Sequence, residues 1–316
     1  MKFSVTIPTF KARYLSEAIQ SVADQSYADW ELIIVDDCSP EDIKSIVTPW
    51  LDDSRIRYYR NTKNCGALNV VDNWNICLSH CTGDYVICIG DDDKLLPCCL
   101  EEYNRLIEKY PALNVYHART EIINERGELI SLQEPRPEWE SALSLIWNRW
   151  AYRPKQFIGD FCYNTQYLKN EGGYFKLPLA WGSDDITSVL AARSNGIANT
   201  QSFCFQYRDN GLTITSCSRY AEKKLEASLR EYEWFTSFLR EEANKALPPT
   251  DSAYIKTIEV HRQNYFKKEF GNDFIYGVKG NPFRIRHYYR KLKPLHYPTT
   301  TYVRWYITSL YHLFFK

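Results

Sequence analysis

Gly83-Asp84-Tyr85-Val86-Ile87-Cys88-Ile89-Gly90-Asp91-Asp92-Asp93-Lys94-Leu95-Leu96-Pro97 is the stretch that decides the fold. Tyr85 to Ile89 is a short apolar run rich in β-branched residues, which predicts a strand buried on both faces. The run stops at Gly90 and brings Asp91, Asp92 and Asp93 to one point. Pro97 then opens a helix, because proline at a first helical position loses no needed hydrogen bond. In open α/β sheets, ligands sit beyond the carboxyl ends of the strands, where these aspartates fall. Three like charges repel unless a cation or solvent compensates them. Oxygen-only ligands suit a hard ion, Mn²⁺ or Mg²⁺. An Asp-rich turn standing in water is the plain alternative. The buried strand before the triplet and the helix after it favour a metal and phosphate site.

The flanking sequence repeats the same alternation. Phe3 to Pro8 reads as a strand ending in Thr9-Phe10, and Leu15, Ala18, Ile19 and Val22 recur at helical spacing. Glu31 to Val35 is a second apolar strand, ending in Asp36-Asp37-Cys38-Ser39-Pro40. Ile43 to Leu51 reads as a helix and Ile56 to Arg60 as a strand. Strands alternating with helices predict a parallel sheet with right-handed crossovers. Asp pairs at strand ends also cap helices, so Asp36 and Asp37 alone do not establish a site. Asn64, Asn69, Asn73 and Asn75 serve either as turn formers or as amide contacts to ribose or phosphate.

The 316 residues are 25% charged and 44% hydrophobic, as in an ordinary folded protein. Lysine plus arginine and aspartate plus glutamate number 39 each, so no global charge points to nucleic acid. Aromatic residues make up 15%, which suits clefts for sugars as well as a large core. Residues 1–10 carry no apolar signal core, and no window is apolar for 18 residues, so a cytoplasmic protein is expected. The ten cysteines are expected as reduced thiols, because Cys88 lies in a buried strand and Cys77 and Cys81 lack a second pair for zinc.

Taken in order, these segments carry a resemblance. Ile7-Pro8-Thr9-Phe10, Ala18-Ile19-x-Ser21-Val22-x-x-Gln25-x-Tyr27 and Glu31-x-Ile33-Ile34-Val35-Asp36-Asp37-x-Ser39 resemble the opening of the family 2 glycosyltransferases. Asn64-x-Gly66, Asn73-Trp74-Asn75, Gly83-Asp84-Tyr85-Val86 and the aspartate cluster continue the pattern over about the first hundred residues. The resemblance implies a GT-A fold, a Rossmann-like and mostly parallel sheet flanked by helices. It implies a metal-dependent, inverting glycosyltransferase of the hexosyl-transferring type, bacterial and acting in surface-polysaccharide assembly. The donor is a nucleoside-diphosphate sugar, with UDP favoured, and the acceptor is a hydroxyl of a glycan or a lipid-linked glycan.

Position by position, Thr9 and Phe10 match the nucleotide pocket and Asp37 the contact to the base. Asn64 joins them on the donor side. Pro97 sets the register in which Asp92 matches the metal ligand and Asp91 a ribose contact. Gly90 stands where the family has its first aspartate, so Asp91, Asp93 or water completes the metal shell. Trp181-Gly182-Ser183-Asp184-Asp185 resembles the motif that supplies the catalytic base, with Asp185 in the base position. Asp184 takes that place if the register moves by one, and both also suit a helix cap over Ile186 to Ser194. Gln206-Tyr207-Arg208 followed by Thr213 resembles a late element preceding a mobile loop, in which Arg208 pairs with the diphosphate in the closed state; a surface arginine is an equally good account.

The expected organisation is a nucleotide-sugar half over 1–110, an acceptor half with the base over 111–218, and a helical, basic-aromatic extension over 219–316. Trp139, Trp147, Trp150, Tyr152, Phe157, Phe161 and Trp181 furnish either an acceptor wall or core. His117 is expected to be packing. Tyr220 to Ala246 predicts a long amphipathic helix. Past Asp273 there is no acidic residue, and eight basic ones from Lys279 to Lys316 alternate with tyrosine, tryptophan and phenylalanine. Such a tail fits peripheral contact with an anionic membrane face. Single-stranded nucleic acid and packing onto the protein are the alternatives. Two other classes fit parts of the pattern. A nucleotidyltransferase also presents aspartates to a metal–nucleotide, but no Gly-rich, lysine-containing phosphate loop is present. A non-catalytic nucleotide- or glycan-binding protein would not need carboxylates intact at all three positions.

Overall fold

The computed structural model describes residues 1–211, 220–279 and 281–315. Thr213 and Lys316, both singled out in the sequence, lie outside them. The chain divides into two units, Met1–Lys176 with Ser183–Asn210, and Leu177–Gly182 with Gly211–Lys316.

The first unit is built on β1 (Phe3–Thr9), β2 (Trp30–Asp36), β3 (Ile56–Arg60) and β4 (Tyr85–Cys88). They are connected by α1 (Leu15–Ala23), α2 (Ile43–Val47) and α3 (Val70–His80). β1 runs parallel to both β2 and β4, and β2 parallel to β3. Every residue of β2 and of β4 is buried, as a sheet covered on both faces requires. The 43–51 helix is shorter than its apolar pattern predicts: α2 ends at Val47, and Pro49 lies in a 3₁₀ turn over Thr48–Trp50. Pro97 precedes rather than opens the next helix, α4 (Cys99–Lys109). Glu31 fastens the amino ends of these strands, accepting from Lys2, Ser4, Arg57 and the Thr82 amide. Burial alone would raise its pKa, but those bonds hold it at about 2.

The sheet does not stop at residue 110. Its order continues from β4 through β9 (Phe161–Asn164), β6 (Val115–Asn124), β10 (Ile197–Asp209) and β5 (Lys94–Leu95), with β7 (Leu129–Leu132) paired to β6 and β8 (Trp139–Glu140) to β10. The expected halves 1–110 and 111–218 therefore share one sheet. β9 runs antiparallel between β4 and β6, placing Tyr163 opposite Val86. β5 pairs antiparallel with β10 through Leu95 with Phe205 and Lys94 with Gln206. That register carries Arg208 back to the aspartate turn. The remaining helices of this unit are α5 (Ala142–Tyr152), α6 (Thr165–Asn170) and α7 (Ser183–Ala192).

The second unit contains α8 (Ala221–Ala243), α9 (Pro249–Val278), α10 (Ile285–Leu292) and α11 (Thr299–Phe315). Tyr288, Tyr302 and Trp305 are buried against α9, with Phe274 at 5.7 Å from Trp305 between ring centres. A Cβ on Gly277 would stand 2.1 Å from the Tyr288 ring and hydroxyl, so only glycine admits that approach. Packing thus accounts for these tail aromatics. All nine described cysteines are free thiols. No helix among the described residues is long and apolar enough to cross a membrane.

Candidate functional site

The carboxyl ends of β1, β2 and β4 converge. Thr9 is paired with Asp36, and the Asp37 amide donates to the Thr9 carbonyl at 2.9 Å. Asp91 reaches across from the β4 end. Its Oδ2 accepts from the amides of Phe10 and Lys11, each at 2.8 Å, and from the Thr9 hydroxyl at 3.2 Å. Burial, then the neighbouring Asp92 charge, raises the Asp91 pKa to about 6, against the pull of those two amides.

The three aspartates divide their work. Asp93 is turned inward, 4% exposed, and accepts the Arg208 amide at 2.9 Å. Burial and Asp92 push its pKa well up. Asp92 is less buried and accepts from Asn210 Nδ2 at 2.8 Å. A Cβ on Gly90 would meet Asp93 Oδ2 at 2.8 Å and Asp92 Oδ1 at 2.9 Å, so glycine is what lets the turn close.

Arg208 does not stand on the donor side, where a diphosphate contact was expected. Its side chain is 1% exposed and lies behind the turn. Nε donates to the Asp92 carbonyl at 2.8 Å, Nη2 to Glu17 at 2.7 Å, and Nη1 to the carbonyls of Asn124 and Glu125 at 3.5 Å. The Tyr14 ring covers its guanidinium at 4.2 Å. A cation so engaged supports the aspartate turn from beneath.

Asp37, 8% exposed, lies at the carboxyl end of β2. Its Oδ1 accepts from Asn61 Nδ2 and the Cys65 amide, each at 2.9 Å. Asn64 reaches the Asp37 carbonyl at 2.8 Å and Asn73 accepts from Asn61 at 3.0 Å, so these amides hold the wall. Phe10, 42% exposed, keeps its ring open.

The second carboxylate pair lies in the first turn of α7, which begins at Ser183 rather than Ile186. Asp185 is buried and fully engaged: Arg149 donates Nε to Oδ1 at 2.8 Å and Nη2 to Oδ2 at 3.1 Å, and Gln156 donates to Oδ1 at 2.8 Å. Asp184 is half-buried and has no side-chain partner among the described residues. Burial, then the Asp185 charge, raises its pKa to about 7. Tyr163 on β9 feels both carboxylates, and its hydroxyl is buried without a partner. Sequence reading missed Arg149, Gln156 and Asn210. Each is a single polar residue whose partner is distant or whose spacing has no period. Among the aromatics, Trp150 and Phe161 are core, while Trp139 and Tyr152 are 46% and 73% exposed.

With this geometry in view, residues 4–172, just over half the chain, match the model of glycosyl transferase family 2. The chain belongs to that family. A 97-residue segment is 40% identical to the GalNAc(5)-diNAcBac-PP-undecaprenol beta-1,3-glucosyltransferase of Campylobacter jejuni, covering 30% of this chain and 31% of that one. The poly(ribitol-phosphate) beta-N-acetylglucosaminyltransferase TarS of Staphylococcus aureus is 26% identical over 197 residues, covering 60% and 32%. The match thus spans about a third of each of these relatives' own length. The crystal structure of TarS 1–349 with UDP-GlcNAc aligns over 99% of this chain and 91% of that one, with a TM-score of 0.63 at 18% identity. A mannosyltransferase from Pyrobaculum calidifontis, solved with GDP-Man and Mn²⁺, aligns with a TM-score of 0.52 at 14% identity. These similarities establish the expected GT-A fold.

Arg208→Ala tests the supporting role of Arg208. Losing it leaves buried carbonyls unpaired at a cost of about 2–4 kcal/mol, so the ligand-free melting temperature should fall by about 5 °C or more. An unchanged ligand-free melting curve would return Arg208 to a donor contact.

Proposed function

We propose that this protein transfers a sugar, with inversion, from a nucleoside-diphosphate sugar to a hydroxyl of a glycan or lipid-linked acceptor. The observation that carries the reading is the crevice itself. Asp91 and Asp92 end β4 beside the Thr9-Phe10 turn of β1 and Asp37 of β2, where an open sheet receives a nucleotide. UDP is the favoured donor nucleotide, in keeping with the UDP-GlcNAc held by TarS.

The acids fit a hard cation. Burial and mutual repulsion raise Asp91, a strain that a positive ion relieves. Asp93 is committed inward, leaving Asp92 with Asp91. Among the described residues no group of three or more acidic, histidine or cysteine side chains is poised to hold a metal. One or two carboxylates, completed by water and substrate phosphates, is how Mg²⁺ is usually held, and Mn²⁺ takes similar oxygen ligands. Asp92 and Asp91 would hold the ion, which when bound offsets charge on the leaving diphosphate. Asp37 receives the nucleoside base, and Thr9 and Phe10 border the phosphates and ribose.

Asp184 takes the acceptor proton. A base needs a carboxylate not held in an ion pair and a pKa near the working pH. Asp184 makes no side-chain ion pair among the described residues, and burial with the Asp185 charge raises its pKa to about 7. Asp185, the residue the resemblance puts first, has both oxygens occupied by Arg149. Its charge raises the basicity of Asp184, and it fixes α7 against α5. Attack by the activated hydroxyl opposite the leaving group needs one base and no protein nucleophile, hence inversion.

Release of nucleoside diphosphate from a panel of nucleotide sugars is the test, with pyrophosphate release from triphosphates diagnosing a nucleotidyltransferase. Asp92→Asn should abolish transfer with an unchanged fold. In the wild type, kcat/KM should fall about tenfold per pH unit below pH 7, because the base works only deprotonated. Asp184→Asn should cost roughly 10²–10⁴ in kcat and remove that limb. If Asp185→Asn removes it and Asp184→Asn does not, the base is Asp185.

The reading extends to peripheral contact with an anionic membrane. On α11, Val303, Ile307 and Tyr311 are 51%, 60% and 55% exposed at i, i+4 and i+8. Arg286, Arg290, Lys293 and Arg304 are exposed and make no ion pair among the described residues. Vesicles rich in phosphatidylglycerol should sediment the protein in low salt, and phosphatidylcholine vesicles should not. Binding to neither would remove the membrane from the account.

A further inference from the structure

Between Lys176 and Ser183, both of the α/β unit, six residues belong to the helical unit. This strap, Leu177–Gly182, is strained. Leu179 and Ala180 adopt φ of 63° and 56°, where L-residues rarely sit, and Gly182 follows at 82°. Such backbone persists only where its surroundings hold it. Leu177 and Leu179 are buried, 2% and 3% exposed.

What holds the strap is charged. Lys224 Nζ lies 4.8 Å from the centre of the Trp181 ring. Glu231 presses so closely on Gly182 that a Cβ there would stand 2.5 Å from Oε2. Lys224, Ser228 and Glu231 share one face of α8 at i, i+4 and i+7. They are 7%, 1% and 4% exposed. Lysine and glutamate are rarely buried to this extent. Ser228 donates to Asp273 of α9 at 3.2 Å, joining the cluster to the core of the helical unit. The reaction outlined above uses none of these groups.

Gly182 is bonded directly to Ser183, the first residue of α7, and Asp184 and Asp185 come next. We infer that Glu231 and Lys224 are positioning residues: they clamp the strap and so fix the first turn of α7 for proton transfer. The inference rests on the reading of Asp184–Asp185 as the base pair. It gives the helical extension a part in turnover through chain connectivity.

The experiment compares the full-length wild type with Glu231→Ala, Glu231→Gln, Gly182→Ala and Ile258→Ala. Ile258, 2% exposed on α9 and fifteen residues before Asp273, serves as a core control. Glu231→Ala and Gly182→Ala should lower kcat about 10- to 100-fold with donor KM within about twofold. Glu231→Gln should recover part of the loss, and Ile258→Ala should lower the melting temperature without changing kcat of the folded enzyme. Amide hydrogen exchange over 183–192 should quicken about 10-fold in Glu231→Ala and not in Ile258→Ala. Unchanged kcat and unchanged exchange over 183–192 in Glu231→Ala would overturn the inference, as would a kcat loss matched by Ile258→Ala. A wild type that consumes no nucleotide sugar would refute the proposed function, while the exchange measurement would still decide whether the clamp exists.

Discussion

Holding several carboxylates at one turn against their mutual repulsion is the constraint on which this structure depends. At 4 Å two like charges oppose each other by about 4 kcal/mol at the effective dielectric of a protein surface. The fold answers with different partners for each acid. Backbone amides at the end of β1 take Asp91, the Arg208 amide takes Asp93, and Asn210 takes one oxygen of Asp92. Gly90 allows the turn to close, and the Arg208 guanidinium supports it through the Asp92 carbonyl. Asp92 is left partly buried, with Asn210 on one oxygen.

The parallel core was legible because its causes are local. Buried parallel strands must be apolar throughout, so β1, β2 and β4 announce themselves within a few residues, and their polar ends mark the crevice. Thr9, Asp37, Asp91 and Asp92 do converge as their strand-end positions imply. The far half of the sheet was not legible in this way. β9 is four residues long and enters antiparallel between β4 and β6, so no repeating pattern signals it. Without it, a division at residue 110 looks natural.

Single polar residues were the other blind spot. An arginine at the end of a strand looks the same in sequence whether it faces a phosphate or lies under a loop. The pairing of β10 with β5, a two-residue strand, decides the matter for Arg208. The Arg149–Asp185 pair joins residues 36 apart on separate helices, and neither has a spacing that foretells the other. The tail shows the reverse case. Its aromatics looked like one class, but Tyr288, Tyr302 and Trp305 are core while Tyr289 and Tyr311 are exposed. Helical phase divides them.

The central claim is a nucleoside-diphosphate site built on Asp92. A ligand that binds only the folded state raises the melting temperature by mass action. The decisive measurement is thermal unfolding with UDP, GDP and thymidine diphosphate, with and without Mn²⁺, in the wild type and in Asp92→Asn. The account predicts a rise with one diphosphate, UDP first, that requires the metal and disappears in Asp92→Asn. No rise with any diphosphate, or a rise that Asp92→Asn leaves intact, would contradict it.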